Sequence, residues 1–355
     1  MAEKLRIGVV GVGTIGPVHL DAYKANAANC EIAAVCDLIP ERVQKHGDAF
    51  DVPGRYTDHR EMLAKEKLDA VSVCVGNTAH REVAVNALNA GVNVLCEKPT
   101  AMNAIEAQAI VDAAEANGRV LQIGMVYRQS AEARLARQYA LDGALGQIYH
   151  IRTVLIRRRG IPGLGGWFTT KAMSGGGPLI DIGVHWFDLS MFMSDQWNPT
   201  AVSAKTYAKF GVDMRNYTYV GMWAGPPDFD GVFDVEDYAT GMVRFGSGAT
   251  MVFDIAWAAN TDDAGFIEIL GDKGGVRFSP GQPLKVYTEY RGNVADIQPQ
   301  VQDRGNNFHR QIESFAAACR GEVEPAATGP QGVTAMKIID GVYASSEQNR
   351  EVVIG

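Results

Sequence analysis

A chain of 355 residues, 46% hydrophobic and 21% charged, is long enough for two domains that each bury a core. Its formal net charge of −8 excludes a nucleic-acid partner, because phosphate binding needs a basic surface and the run Arg157-Arg158-Arg159 is too short to provide one. No apolar stretch approaches the ~20 residues of a bilayer span, no apolar signal region precedes the first strand, and the 5 cysteines form no C-x-x-C pair, so a cytoplasmic protein with reduced thiols and no membrane contact is expected.

Residues 5–10 read as a buried strand, and Gly11-Val12-Gly13-Thr14-Ile15-Gly16 behind them as a strand-to-helix turn that grips a pyrophosphate. Gly11 makes the turn, Gly13 admits phosphates to the backbone, and Gly16 lets the next helix lie close on the strand. The phosphate contacts expected are thus Gly11, Gly13, Thr14, Ile15 and Gly16, with the helix marked by Val18, Leu20 and Tyr23 aiming its N–H groups at the anion. A second strand over 31–36 ends in Asp37, about 20 residues past Gly16, where a carboxylate hydrogen-bonds ribose hydroxyls and repels a 2′-phosphate. NAD is therefore expected over NADP, with Arg42 against the adenine. A plain βαβ turn that binds nothing is the alternative, and the joint presence of strand, glycines, helix and acid argues against it.

Helices over 40–50 and 59–65, a strand over 70–75, a helix over 79–90, a strand over 92–96, a helix over 103–117 and a strand over 119–123 follow. Such alternation predicts an α/β domain with a doubly wound parallel sheet, its ligand at the carboxyl ends of the strands. Two of those ends carry polar groups. At the first, Val75, Asn77 and His80 either line the nicotinamide or serve as helix-capping and solvent residues, with nothing in the sequence to choose. At the second, Glu97-Lys98-Pro99 places a lysine that can bond a substrate oxygen, although a lone tripeptide of this kind usually holds a surface lysine.

Beyond residue 124 the pattern changes. A helix over 131–141, a strand over 146–156, a glycine-rich loop over 160–177 and a helix over 178–193 precede strands over 201–208, 237–245, 250–258, 266–271, 275–278 and 284–287. Strands without intervening helices predict an α+β domain with a largely antiparallel sheet, giving domains 1–125 and 126–355. The closing helices, within 307–348, are assigned to neither by sequence alone. Asp181 and His185 stand four apart on a helix otherwise made of buried apolar residues, so they share a face. They form either a general acid/base pair or a structural one. Zinc would need a third ligand, and no His/Cys cluster accompanies them, so no metal is expected. In the loop, Trp167 and Phe168 offer flat faces for a sugar ring. Arg157 and Arg159, on one face of a strand, either grip an anionic substrate or pair with acidic residues, and the second is favoured.

In this order, the glycine motif, Asp37, Glu97-Lys98-Pro99 and Asp181-x-x-x-His185 resemble the Gfo/Idh/MocA oxidoreductases, the glucose-fructose oxidoreductase and inositol dehydrogenase family. The resemblance covers essentially the whole chain, down to Gly329-Pro330-Gln331-Gly332-Val333. It implies a Rossmann domain followed by an α/β domain whose open sheet mediates homodimers or homotetramers, a nicotinamide cofactor, and sugars or polyols as substrates. It also assigns Lys98, Asp181 and His185 to the catalytic group, and sets Asn77, His80, Glu97, Tyr127 and Arg128 along the nicotinamide and substrate. Gly76, where a proline is usual, and Gln129-Ser130-Ala131 depart from the family pattern outside that group.

The activity expected is NAD-dependent oxidation of a secondary alcohol on a neutral cyclic sugar, glycoside or polyol. His185 takes the proton, Lys98 steadies the oxygen, Asp181 orients His185, and Tyr127, Arg128, Arg157 and Trp167 contact the substrate. One rival is an enzyme that retains NAD and cleaves or epimerises a glycoside without net redox. The other is a non-catalytic NAD-binding sensor, against which the intact Lys98, Asp181 and His185 argue.

Overall fold

The computed structural model describes residues 3–302 and 305–355, which fall into two compact units. Described residues of Met1–Gln129 and Gly305–Val333 make the first, and those of Ser130–Arg304 and Thr334–Gly355 the second. The segment after Gly305, left unplaced by sequence, thus returns to the first unit up to Val333.

In the first unit, strands β1 (Leu5–Val10), β2 (Cys30–Cys36), β3 (Gly54–Tyr56), β4 (Ala70–Val73), β5 (Asn93–Cys96) and β6 (Leu121–Ile123) alternate with helices α1 (Gly16–Ala25), α2 (Pro40–Ala49), α3 (His59–Lys65), α4 (His80–Asn89) and α5 (Ala104–Asn117). The sheet is parallel throughout, in the order β3-β2-β1-β4-β5-β6. Strand order reverses between β1 and β4, which opens a crevice at their carboxyl ends. Asp58 and Asn103 start α3 and α5 by accepting from the N–H groups of Arg60 and Glu106 at 2.9 Å each. The helix Asn307–Cys319 joins this core: Ile312 and Phe315 are fully buried in one cluster with Ile7, Val9, Leu20, Tyr23 and Val35. Burial of Phe315 alone is worth about 1.5–3 kcal/mol and helps hold the returning segment to this unit.

The second unit contains helix α6 (Ala131–Leu141), β7 (Ile148–Ile156), the short α7 (Lys171–Ser174) and α8 (Val184–Ser194). Strands β8 (Pro199–Tyr207), β9 (Tyr238–Phe245), β10 (Thr250–Ala256), β11 (Ala264–Gly271), β12 (Gly275–Phe278), β13 (Lys285–Tyr290) and β14 (Asn293–Ile297) follow. The chain closes with α9 (the Asn307–Cys319 helix), α10 (Gly329–Gln348) and β15 (Val352–Val353). Nine strands form one sheet in the order β14-β13-β12-β11-β7-β10-β9-β8-β15. Only β7 and β10 pair in parallel.

The helix expected over 178–193 is not uniform. Leu179–Gly183 form a π-turn, and regular α-helix begins at Val184. Leu179, Ile180, Ile182, Gly183 and Val184 are all buried, so the apolar pattern has no face whose slip would betray an inserted residue.

Candidate active site

At the carboxyl end of β1, Gly11 adopts φ +88°, and a Cβ there would lie 2.5 Å from the Cys74 carbonyl oxygen, so this turn admits only glycine. Asp37, at the end of β2, is turned toward the same loop. Its carboxylate accepts from the N–H groups of Val12 at 2.9 Å and Ile39 at 3.0 Å. Over Gly13 the neighbouring group is the Arg42 guanidinium, 3.4 Å from where a Cβ would stand and 3.8 Å from the Asp37 carboxylate. A bare glycine loop at a helix N-terminus, flanked by a fixed carboxylate, suits a dinucleotide with free ribose hydroxyls. Arg42 stands beside that carboxylate and over the glycine loop.

The next two strand ends are tied together by His80, which is almost fully buried. Its Nδ1 lies 2.7 Å from the Pro99 carbonyl and its Nε2 3.1 Å from the Val75 carbonyl. Burial pushes its pKa down against the pull of these carbonyls, which favours the neutral ring. His80 and Val75 therefore build the turn that carries Lys98, rather than presenting polar groups outward. Asn77 is buried beside them.

Glu97 is likewise turned inward. It accepts from Nε2 of the fully buried His19 at 2.8 Å and from the Lys98 N–H at 3.2 Å. Burial opposes its ionisation, but His19 and Lys98 outweigh burial and hold its carboxyl below the usual range. The peptide between Lys98 and Pro99 is cis. Tyr127 stays partly exposed, whereas Arg128 is buried and bonded to the Ala326 carbonyl at 2.8 Å and Gln331 Oε1 at 2.7 Å. The Arg128 side chain anchors the returning segment, a structural task the sequence did not indicate.

In the second unit, Asp181 and His185 are half-buried on a segment whose intervening residues are buried. Asp181 Oδ2 accepts from Trp257 Nε1 at 3.1 Å. The turn that carries them is held from below by Glu236, whose carboxylate accepts from the N–H groups of Gly177 and Leu179 at 3.1 Å each and from the Tyr343 hydroxyl at 3.0 Å. A Cβ on Gly177 would strike the Glu236 carbonyl oxygen. Burial raises the Glu236 carboxyl pKa, and its three donors offset only part of that rise.

Trp167 and Phe168 meet edge to face at 4.7 Å, and Phe168 meets Trp223 likewise at 4.9 Å. The loop that bears Trp167 runs beside the irregular segment 208–236, joined by backbone bonds from Ala224 N–H to the Pro162 carbonyl (3.0 Å), Asp228 to Leu164 (2.9 Å) and Val232 to Gly165 (3.4 Å). Arg157 and Arg159 do not share a strand face: β7 stops at Ile156 and the chain bends at Arg158. Arg159 is held by the Ala259 carbonyl, the Asn260 side chain and the Phe210 ring, so its partners are neutral oxygens and an aromatic face instead of the acids expected. Arg157 is half-buried over Gly160. Among the described residues no group of three or more metal-ligating side chains occurs, and no helix is long and apolar enough to cross a membrane.

His19, Glu236, Trp257, Tyr343 and Trp223 were not singled out by sequence. His19 alone had a signal: a polar residue on the α1 stripe that otherwise faces the core.

Two family models match the chain. One, described as an oxidoreductase family with an NAD-binding Rossmann fold, covers residues 5–125, and one described as a GFO/IDH/MocA C-terminal domain covers 133–277. D-Glucoside 3-dehydrogenase of Escherichia coli (strain K12) is 29% identical over 353 residues, 99% of this chain and 98% of that protein. An inositol 2-dehydrogenase of Salmonella typhimurium (strain LT2) is 34% identical over 145 residues, 40% of this chain and 43% of that protein. Levoglucosan dehydrogenase solved with NADH superposes with a TM-score of 0.87 at 22% identity, covering 99% of this chain and 100% of that one, a likeness of fold.

Proposed function

Since the chain belongs to the Gfo/Idh/MocA oxidoreductase family, with an NAD-binding Rossmann domain and sugar and polyol dehydrogenases as relatives, we propose that it oxidises a secondary alcohol of a neutral sugar, glycoside or cyclic polyol with NAD. The observation that carries this reading is the pair Asp181 and His185, half-exposed on a buried turn that three donors to Glu236 and one bond from Trp257 hold in place. A polar pair on so apolar a segment needs a use.

NAD would be held by the Gly11–Gly16 loop, Asp37 and Arg42, and supplies the hydride acceptor when bound. His185 accepts the hydroxyl proton as the alcohol is oxidised, and Asp181 keeps its ring aligned and bonds the substrate. Lys98 bonds the same oxygen and stabilises the charge that develops on it. Trp167, with Phe168, offers an apolar face to the ring, and Tyr127 and Arg157 remain candidates for its hydroxyls. Full-length likeness to a glucoside dehydrogenase favours a glycoside among these substrates. Assembly as a homodimer or homotetramer through the nine-stranded sheet belongs to the same proposal, and light scattering coupled to gel filtration checks it.

The experiment is an NAD⁺ reduction screen across glucosides, free sugars and inositols, each beside its uronic acid or phosphate. NADH accumulation with a neutral substrate, reduced at least about a hundredfold in Lys98→Met with NADH affinity kept, is the expected result. Conversion of a glycoside without NADH accumulation, preference for the anionic member, or normal turnover of Lys98→Met would each overturn part of it.

A further inference from the structure

Beneath Lys98 runs a buried chain of hydrogen bonds for which the reaction described above has no use. The Tyr23 hydroxyl lies 2.8 Å from Ser72 Oγ, Ser72 Oγ 3.1 Å from His19 Nδ1, and His19 Nε2 2.8 Å from Glu97 Oε1. Tyr23, Ser72 and His19 are sealed from solvent, and Glu97 nearly so. One arrangement of protons satisfies every atom. Tyr23 donates to Ser72, Ser72 donates to Nδ1, and Nε2–H donates to the carboxylate, whose other oxygen takes the Lys98 N–H at 3.2 Å. Burial pushes the Tyr23 hydroxyl far above its ordinary range, so it stays a donor.

We propose that His19 is a positioning residue for the reaction: through Glu97 it fixes an ionised carboxylate, and with it the backbone of Lys98, at the end of a one-way hydrogen-bond chain that begins at Tyr23. This rests on the reading that Lys98 acts on the substrate oxygen.

The groups facing Glu97 leave that carboxylate few other supports. From α1 comes His19; from the ends of β4 and β5 come Cys74 and Cys96; from α4 comes His80, and from its own segment Lys98. Burial drives both thiols upward and His80 downward, so all three are neutral near neutral pH. Lys98 and the His19 N–H therefore carry the support. Loss of the His19 donor leaves burial to dominate, and the Glu97 carboxyl takes up a proton at higher pH.

The test compares His19→Leu, His19→Gln, Glu97→Gln and Lys98→Met, using the substrate that the NAD⁺ reduction screen identifies. His19→Leu is expected to lower kcat at least about tenfold at pH 7 and move its acid limb up by about one pH unit or more, with KM and the NADH Kd, read by fluorescence titration, within about threefold. His19→Gln keeps an amide donor and recovers most of the limb. Without substrate, the infrared band of a buried carboxylic acid, absent in Glu97→Gln, appears at higher pH in His19→Leu than in the native enzyme. A limb and band that stay in place in His19→Leu, or an equal loss in His19→Leu and His19→Gln with no shift, overturn the proposal. Should His19→Leu fail to fold, Ser72→Ala, which removes the donor to Nδ1, is expected to shift both in the same direction, and no shift overturns it. Lys98→Met separates the two readings: normal turnover there refutes the role of Lys98, whereas a dead Lys98→Met beside an unshifted His19→Leu refutes this inference alone.

Discussion

Asp37 carries the proposed preference for NAD on one side chain. Two backbone N–H groups hold its carboxylate at the mouth of the glycine loop, where on the proposed reading it would accept ribose hydroxyls and meet a 2′-phosphate as a like charge. Kinetics with both cofactors are expected to give the higher kcat/KM with NAD. Asp37→Ser is expected to narrow that ratio at least about tenfold, by removing the repulsion beside Arg42. A native enzyme that prefers NADP would refute this role for Asp37. Asp37, Lys98, Asp181 and His185 were open to proposal from sequence because each stands at a fixed spacing from a turn or strand end. The residues that hold them were not. His19 and Glu97 are 78 positions apart, and Tyr343 lies 107 from Glu236, so no local pattern joins them. Arg128 shows a role that a motif does not reveal, since its guanidinium also bonds the Ala326 carbonyl and Gln331.

At the level of elements, the π-turn Leu179–Gly183 depends on a carboxylate from outside itself. Glu236 accepts from Gly177 and Leu179, and burial raises its pKa. A carboxyl raised in the fold above its unfolded value of about 4.3 adds stability below that value, and the addition is lost as pH rises through the folded pKa. The stability difference between native enzyme and Glu236→Gln, read from denaturant midpoints, should therefore change with pH above about 4, favouring the native residue most at the acid end. At neutral pH the Gln amide faces the Gly177 N–H, donor to donor. Turnover is expected to fall about tenfold while NADH affinity stays, and a pH-independent difference would show that Glu236 is not held in this way. Strand and helix identities were largely legible through the long apolar runs. The short edges β3, β14 and β15 were not: β14 is mostly exposed, with no alternation to see.

For the whole molecule, a cofactor that binds only the folded chain must raise the unfolding temperature by mass action. NAD at a hundred times its Kd is worth about 2.7 kcal/mol, a shift of about 3–4 °C for a chain of this length, and NADP at equal concentration is worth less. Gly11→Ala, forced into a left-handed backbone against the Cys74 carbonyl, should lose that shift, and its persistence would place the cofactor elsewhere. The loop bearing Trp167 and the segment 208–236 are laced together through main-chain amides and carbonyls, which every residue except proline supplies in full. Apart from Gly165 and Gly231, where the two backbones approach too closely for a Cβ, and Thr169, whose hydroxyl donates to the Val232 carbonyl at 2.8 Å, side chains along that seam carry little of the duty of keeping its path. Evolution can redecorate such a track one position at a time, changing which molecule is welcomed while the course of the chain stays the same. A laboratory library over positions 219–230 that spares Gly225, whose φ is +112°, and leaves Gly231, where a Cβ would strike the Gly165 carbonyl, would search that same space with the path of the chain kept.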